Sequence, residues 1–322
     1  MHSVHSQLNK IEGTKMKKII MLLLLFAAIS IQGYAQQILI GGTPDDPNMN
    51  PVWSPDGSMV AFTKSNYTGI WIYNFTDNSI KQITNEQAAG FAFKWSADSK
   101  SILTRVAKYE DNRRYNAVKV FDIESNQSVR LTEYRTRMPY LPEWSDEDSK
   151  VILPTKEGVE IYNSGKLKKS VTLKPEINAF IKGDKIISRD VVTQTEKIME
   201  PIKNAQIINL VISPDKNKVA FEVMGGNMYS MNIDGTNLID LGKGNRPLWS
   251  SESKKIIYMI TEDDGHDFTA SDIYTINADG TQKLNVTNSK DLIEMNPCFA
   301  PDGKMVVFDA YNDGSIYLMN LE

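Results

Sequence analysis

"PVWSPDGSMVAF", residues 51–62, and "PCFAPDGKMVVF", residues 297–308, are two versions of one pattern placed near opposite ends of the chain. Each has an aromatic anchor, a Pro-Asp-Gly turn and a run rich in β-formers. Proline presets φ, the aspartate can bond its own backbone and glycine accepts a positive φ, so the chain reverses tightly between two strands. Four more copies lie between them: "WSADS" from Trp95, "WSDEDS" from Trp144, "ISPDK" from Ile212 and "WSSES" from Trp249. The β-rich runs that follow the six anchors are "MVAF", "SILT", "KVIL", "KVAF", "KIIY" and "MVVF".

A second signature recurs behind each run: "IWIYN" from Ile70, "VKVFD" from Val118, "VEIYN" from Val159, "MYSMN" from Met228, "IYTIN" from Ile273 and "IYLMN" from Ile316. Its alternation with period two is that of a sheet strand. "DGT" at Asp234 and Asp279 supplies another turn, and "SIKQIT", "SVRLT" and "KLNVT" supply another strand. Each unit therefore reads as four short antiparallel strands, named a to d, and a row of such units reads as an all-β propeller.

The gap of 68 residues between the anchors at 144 and 212 is too long for one blade of roughly 40 to 45 residues. A degenerate unit fits within it, from Ile177 to Ile202, with four short runs and Phe180 as anchor. Seven blades are expected, or six if that stretch is an elaborated loop. After Phe299 there is room only for strands a, b and c, while "QILI" from Gln37 precedes the first anchor. The N-terminal strand is thus expected to complete the last blade and remove two open edges.

The 322 residues are 41% hydrophobic and 24% charged, an ordinary folded composition. Lys17 and Lys18, the apolar run Ile19 to Ile31 and the small residues Gly33 and Ala35 read as a secretory signal, cut between Ala35 and Gln36. Residues 1–15 fit an upstream start, and the propeller spans 36–322. That apolar run has 13 residues, short of the roughly 17 to 25 of a spanning helix, so no transmembrane segment is expected in the mature chain. Periplasmic or secreted localisation follows. Removing the leader moves the formal charge from −4 to −7, a poor match to nucleic acid. Cys298, the sole cysteine, cannot form an internal disulfide and reads as a packed residue.

These repeats resemble the TolB-type propeller of bacterial envelope proteins, a relative of the WD-repeat class, over nearly all of the mature chain. The resemblance implies fold more than function. TolB proteins look like a small α/β domain followed by a six-bladed propeller that binds a peptidoglycan-associated lipoprotein. Only some 15 residues separate the expected cut from the first anchor here, so that domain and its partner are not carried over. Related enzymes give two further tests. Prolyl-oligopeptidase-like peptidases need a G-x-S-x-G turn, which the sequence lacks. Oligogalacturonate lyases look like TolB-type propellers with a metal on several histidines, whereas the mature chain has only His266.

Ser54, Asp56, Ser213, Asp215 and Asp302 recur at equivalent places, as turn-formers do, whereas a catalytic residue is needed once. No catalytic residue and no cofactor are expected. "TEDDGHDFTASD" crowds Asp263, Asp264, Asp267 and Asp272 around His266; oxygen ligands at this density make it a Ca²⁺ candidate, although its spacing matches no EF-hand. The a-to-b and c-to-d turns share one rim, and the b-to-c and d-to-a loops share the other. Insertions at 107–116, 133–141, 261–271 and 288–295 fall on this second rim, which is therefore the expected binding face. Blades 2 and 3 bring it Tyr109, Arg113, Arg114, Tyr115, Arg135, Arg137 and Tyr140, a mixture suited to protein contacts. The expectation is a monomeric, non-catalytic scaffold for envelope proteins. The alternative is a carbohydrate-binding or polysaccharide-lyase-like propeller.

Overall fold

Every anchor pairs across its turn with the run that follows: Trp53 with Val60, Trp95 with Ile102, Trp144 with Val151, Ile212 with Val219, Trp249 with Ile256 and Phe299 with Val306. Phe180 pairs with Ile187 in the same way. The turns are built as their composition requires. Ser54, Ser96 and Ser213 each donate a 2.6 Å hydroxyl bond to the aspartate two residues on, and Gly57 and Gly303 take φ of 74° and 73°. Partial burial works against the Asp56 charge, but the hydroxyls of Ser54 and Ser58 and the Ser58 amide hold its carboxyl below the ordinary value. Consecutive turns are also tied together. The amides of Asp56 and Asp215 donate to Ser99 and Ser253 of the next blade, both at 3.0 Å.

The computed structural model describes residues 36–145, 147–156, 158–166, 177–190 and 192–321; the leader reading lies outside them. They form seven antiparallel sheets, one per anchor, in a ring. Blade 1 runs Asn48–Trp53, Met59–Lys64, Ile70–Asn74 and Ser79–Thr84; blades 2, 5 and 6 have the same four-stranded order. Blade 7 takes Glu294–Phe299, Met305–Ala310 and Ile316–Asn320 from the C-terminal end and Gln36–Ile40 from the other. Gln36 faces Met319 and Ile40 faces Ile316, so the ring closes by strand pairing as expected. Blade 4 departs from the reading of four runs. It has three strands, Ile177–Lys182, Lys185–Asp190 and Glu196–Met199, and the chain then turns through Glu200–Gln206 into blade 5 without a fourth. The segment Pro201–Ala205 carries a proline and a Lys-Asn turn, which do not sustain a ladder. Blade 3 shows three strands among the described residues.

Neighbouring blades meet through their a strands, which places those strands innermost. The apolar clusters lie between blades rather than within them. Trp53 and Val60 pack on Ala300, Val307 and Leu318 at the seam of blades 7 and 1, and Trp95 packs on Ala61 and Ile72 of blade 1. Each sheet is apolar on both faces, so alternate side chains of one strand serve two different seams. The indoles also carry hydrogen bonds across them. Trp95, Trp144 and Trp249 donate Nε1 to the carbonyls of Val52, Lys94 and Val211 in the preceding blade, at 3.1, 3.2 and 3.2 Å. No helix among the described residues is long and apolar enough to cross a membrane.

Candidate binding face

The second rim is dominated by two projecting hairpins rather than by loops. The stretch at 107–116 continues its strands in register to the pair Glu110 with Arg113, and that at 261–271 continues to Asp263 with Phe268 across a register shift between Glu262 and Asp263. Alternating side chains along "RVAKYEDNRRYNAV" sustain the first ladder, and Asp111 and Asn112 accept the positive φ of its turn. This hairpin of blade 2 presents Tyr109, 58% exposed, beside exposed Arg113 and Arg114.

The predicted patch divides in two. Among the described residues the side chains of Arg113 and exposed Arg137 make no ion pair or hydrogen bond, and Arg114 donates its Nε to Asn116 at 3.0 Å. Arg135 is different: it donates to Glu160 at 2.8 Å and to the Tyr162 hydroxyl at 2.7 Å, a bond between loop and blade 3. The Tyr140 carbonyl, with that of Met138, accepts the Arg105 guanidinium, at 3.5 and 2.7 Å. Arg135 and the Tyr140 backbone thus tie the loop to the fold. The sequence reading passed over Lys108 and Tyr134, where the ammonium lies 4.6 Å from the ring centre and 5.8 Å from that of Tyr115. The register of the extended hairpin is the signal that would have placed Lys108 directly opposite Tyr115.

The acidic hairpin of blade 6 does not gather its carboxylates. Asp264 accepts the amides of His266 and Asp267, both at 2.9 Å, and Asp263 accepts that of Gly265 at 3.0 Å. Asp267 accepts the Tyr311 hydroxyl at 3.2 Å, and Asp272 accepts Asn285 Nδ2 at 2.8 Å and the Ser289 amide at 3.2 Å. These are turn and loop bonds. Among the described residues no three of His, Cys, Asp or Glu come together as a metal site would need.

Beneath the rim, in the second-rim half of the a strands, runs a belt of polar residues that the sequence reading missed. Asn50, Asn209, Arg246 and Asn296 occupy the bulges of blades 1, 5, 6 and 7 with φ of 55°, 50°, 52° and 50°. Asp309 accepts the Asn50 amide of the next blade and the Asn296 side chain of its own, both at 2.9 Å. Glu222 repeats this with the Arg246 amide and with Asn209 Nδ2, the latter at 2.8 Å. Arg246 also donates to Asn296. Burial pushes Asp309 up to about 6, although its hydrogen bonds and the nearby Arg246 oppose the shift. The signal was one residue away. Thr63, Arg105, Glu222 and Asp309 each stand just after a quoted β run, at a position facing the next blade. Burial likewise pushes the Cys298 thiol up to about 11, in keeping with a packed residue.

No family model matches the chain, and no curated protein matches it. Among solved structures it is similar to a TolB candidate of Agrobacterium tumefaciens, at 14% identity and a TM-score of 0.53 over 86% of this chain and 91% of that one. It is also similar to a chain of the mitotic checkpoint complex, at 14% identity and 0.57 over 90% and 89%. An oligogalacturonate lyase of Vibrio parahaemolyticus aligns at 11% identity and 0.48 over 86% and 78%, too distant to bear on activity. With the repeated blade and its closure, these similarities show the fold: the chain is a seven-bladed β-propeller.

Proposed function

We propose that this propeller is a non-catalytic scaffold, periplasmic or secreted, that binds protein at the bacterial envelope through the second rim of blades 2 and 3. One observation supports the reading above others: the blade 2 hairpin, paired along its whole length, presents exposed Tyr109, Arg113 and Arg114, and among the described residues the side chains of Arg113 and Arg137 have no partner. A hairpin ordered by its own ladder meets a partner without an ordering cost, and exposed Arg and Tyr are the residue types that dominate protein interfaces. The unpaired guanidinium groups call for a partner with carboxylates at matching places. A pull-down from envelope extract with the wild-type chain and with Arg113→Glu/Arg137→Glu tests this. Loss of a specific protein band in the double variant supports the reading, and equal retention refutes it. A glycan-binding or lyase-like channel is the second reading, favoured by Asp309 and Arg246 near the a strands. A glycan array run with the same chain distinguishes it.

A further inference from the structure

At blade 4 the ring is one strand short. Blades 1, 2, 5 and 6 each carry four strands, and blade 7 gains its fourth from Gln36–Ile40. The outermost strand of blade 4 is Glu196–Met199; the chain then passes to blade 5 with Ile202 turned into the seam between the two, and no strand covers that edge. Asp190 donates its amide to the Thr195 carbonyl at 3.0 Å, which sets the phase of the ladder. Thr195, Lys197 and Met199 bond inward to Lys185–Asp190, so Glu196 and Ile198 aim N–H and C=O outward. Among the described residues nothing takes these outward groups. Glu196, Lys197 and Ile198 are exposed, and Ile198, at 66%, is the most exposed large apolar side chain among the described residues.

An edge of this kind is completed by a strand, as blade 7 shows within the same chain, where Gln36–Ile40 lies antiparallel along Ile316–Asn320. A strand added to blade 4 meets two backbone donors and two acceptors and sets a side chain against Ile198. It also lies beside blade 5, whose Gly235 turn packs on Met199. Charge specifies it further. Glu196 is paired with Arg189 and Glu200 with Lys185, whereas exposed Lys197 and Lys203 make no ion pair among the described residues. A second copy of the same edge is a poor occupant. Antiparallel self-pairing centred on Lys197 sets that lysine against itself, and centring on Ile198 sets Glu196 against Glu200, like charges in both cases. We propose that the blade 4 edge binds an extended segment of another protein as a fourth, antiparallel strand, with β-branched residues opposite Glu196 and Ile198 and a carboxylate opposite Lys197. The edge is separate from the second rim of blades 2 and 3, so either assignment can fail alone.

Fluorescence polarisation of a labelled Thr-Val-Glu-Val-Thr peptide with the full chain provides the test. Saturable binding is expected. The same peptide N-methylated at both valines, which removes the amides aimed at Glu196 and Ile198, should bind about tenfold more weakly or worse. Ile198→Pro removes an outward amide and leaves the inward ladder its donors, so it too should weaken binding by about tenfold or more. Should that variant misfold, Lys197→Glu, at an exposed position, is expected to weaken binding about threefold to tenfold and to prefer a Thr-Val-Lys-Val-Thr peptide, a reversal that damage to the fold would not produce. No saturable binding, equal binding of the N-methylated peptide, or unchanged affinity in the folded variants overturns the proposal. So does dimerisation of the peptide-free chain on size-exclusion chromatography that Ile198→Pro abolishes, which would assign the edge to a second copy.

Discussion

Replacing the anchor tryptophans by phenylalanine separates their packing from their hydrogen bonding. Trp95 is 8% exposed and donates Nε1 to the Val52 carbonyl at 3.1 Å; Trp53 is 5% exposed, and its buried Nε1 has no partner. Both substitutions remove similar apolar volume, and Trp53 also stacks on Phe75 at 4.9 Å, an arrangement that phenylalanine can keep. Trp95→Phe additionally takes the indole donor from the part-buried Val52 carbonyl, a loss of about 0.5 to 1.5 kcal/mol. Trp53→Phe leaves no polar group stranded and removes an unsatisfied one. Trp95→Phe should therefore unfold more easily than Trp53→Phe by about 1 to 2 kcal/mol, read by urea denaturation followed by far-ultraviolet circular dichroism. Equal stability, or a less stable Trp53→Phe, would refute the claim that the indoles bond one blade to the next.

Deleting Gln37–Gly42 strips blade 7 of its outer strand and exposes the Ile316–Asn320 edge, so the product should elute as oligomers or precipitate; a soluble monomer on size-exclusion chromatography contradicts this. Asp309 has a folded pKa of about 6 against an ordinary 3.8, so the folded state binds its proton more tightly than the unfolded one. Relative to Asp309→Asn, the wild type should lose about 3 kcal/mol as pH rises from about 4 to above 6, and parallel stability curves would contradict it. Arg113→Glu should change the melting temperature by no more than a degree or two, whereas Arg135→Ala, which loses Glu160 and Tyr162, should lower it further; differential scanning calorimetry reads both.

The blade was legible because it repeats. Six copies of one turn made Pro55, Asp56 and Gly57 readable as backbone chemistry, and the anchors, aromatic except for Ile212, located the blades. The missing d strand at one end matched the spare strand at the other, which gave the closure. Blade 4 kept the strand pattern without the turn motif, so its count was read correctly and its fourth strand wrongly. Loop length misled at the second rim: "AKYEDNRRYN" reads as an insertion by length, whereas its alternation continues the flanking strands. Arg135 and Arg113 look alike in sequence, and only the position of Glu160 across the loop separates a tether from a free side chain. The polar belt was hidden because its residues differ in sign and type from blade to blade.

The ring itself is tested most directly by a cysteine pair at Ile38→Cys and Tyr317→Cys in a Cys298→Ser background, positions that face each other across the two ends of the chain. Mild oxidation should give a monomeric product with an intramolecular disulfide, detected by mass spectrometry and by faster migration on non-reducing gels. Free thiols throughout, or only intermolecular dimers, would contradict a propeller closed by its first strand.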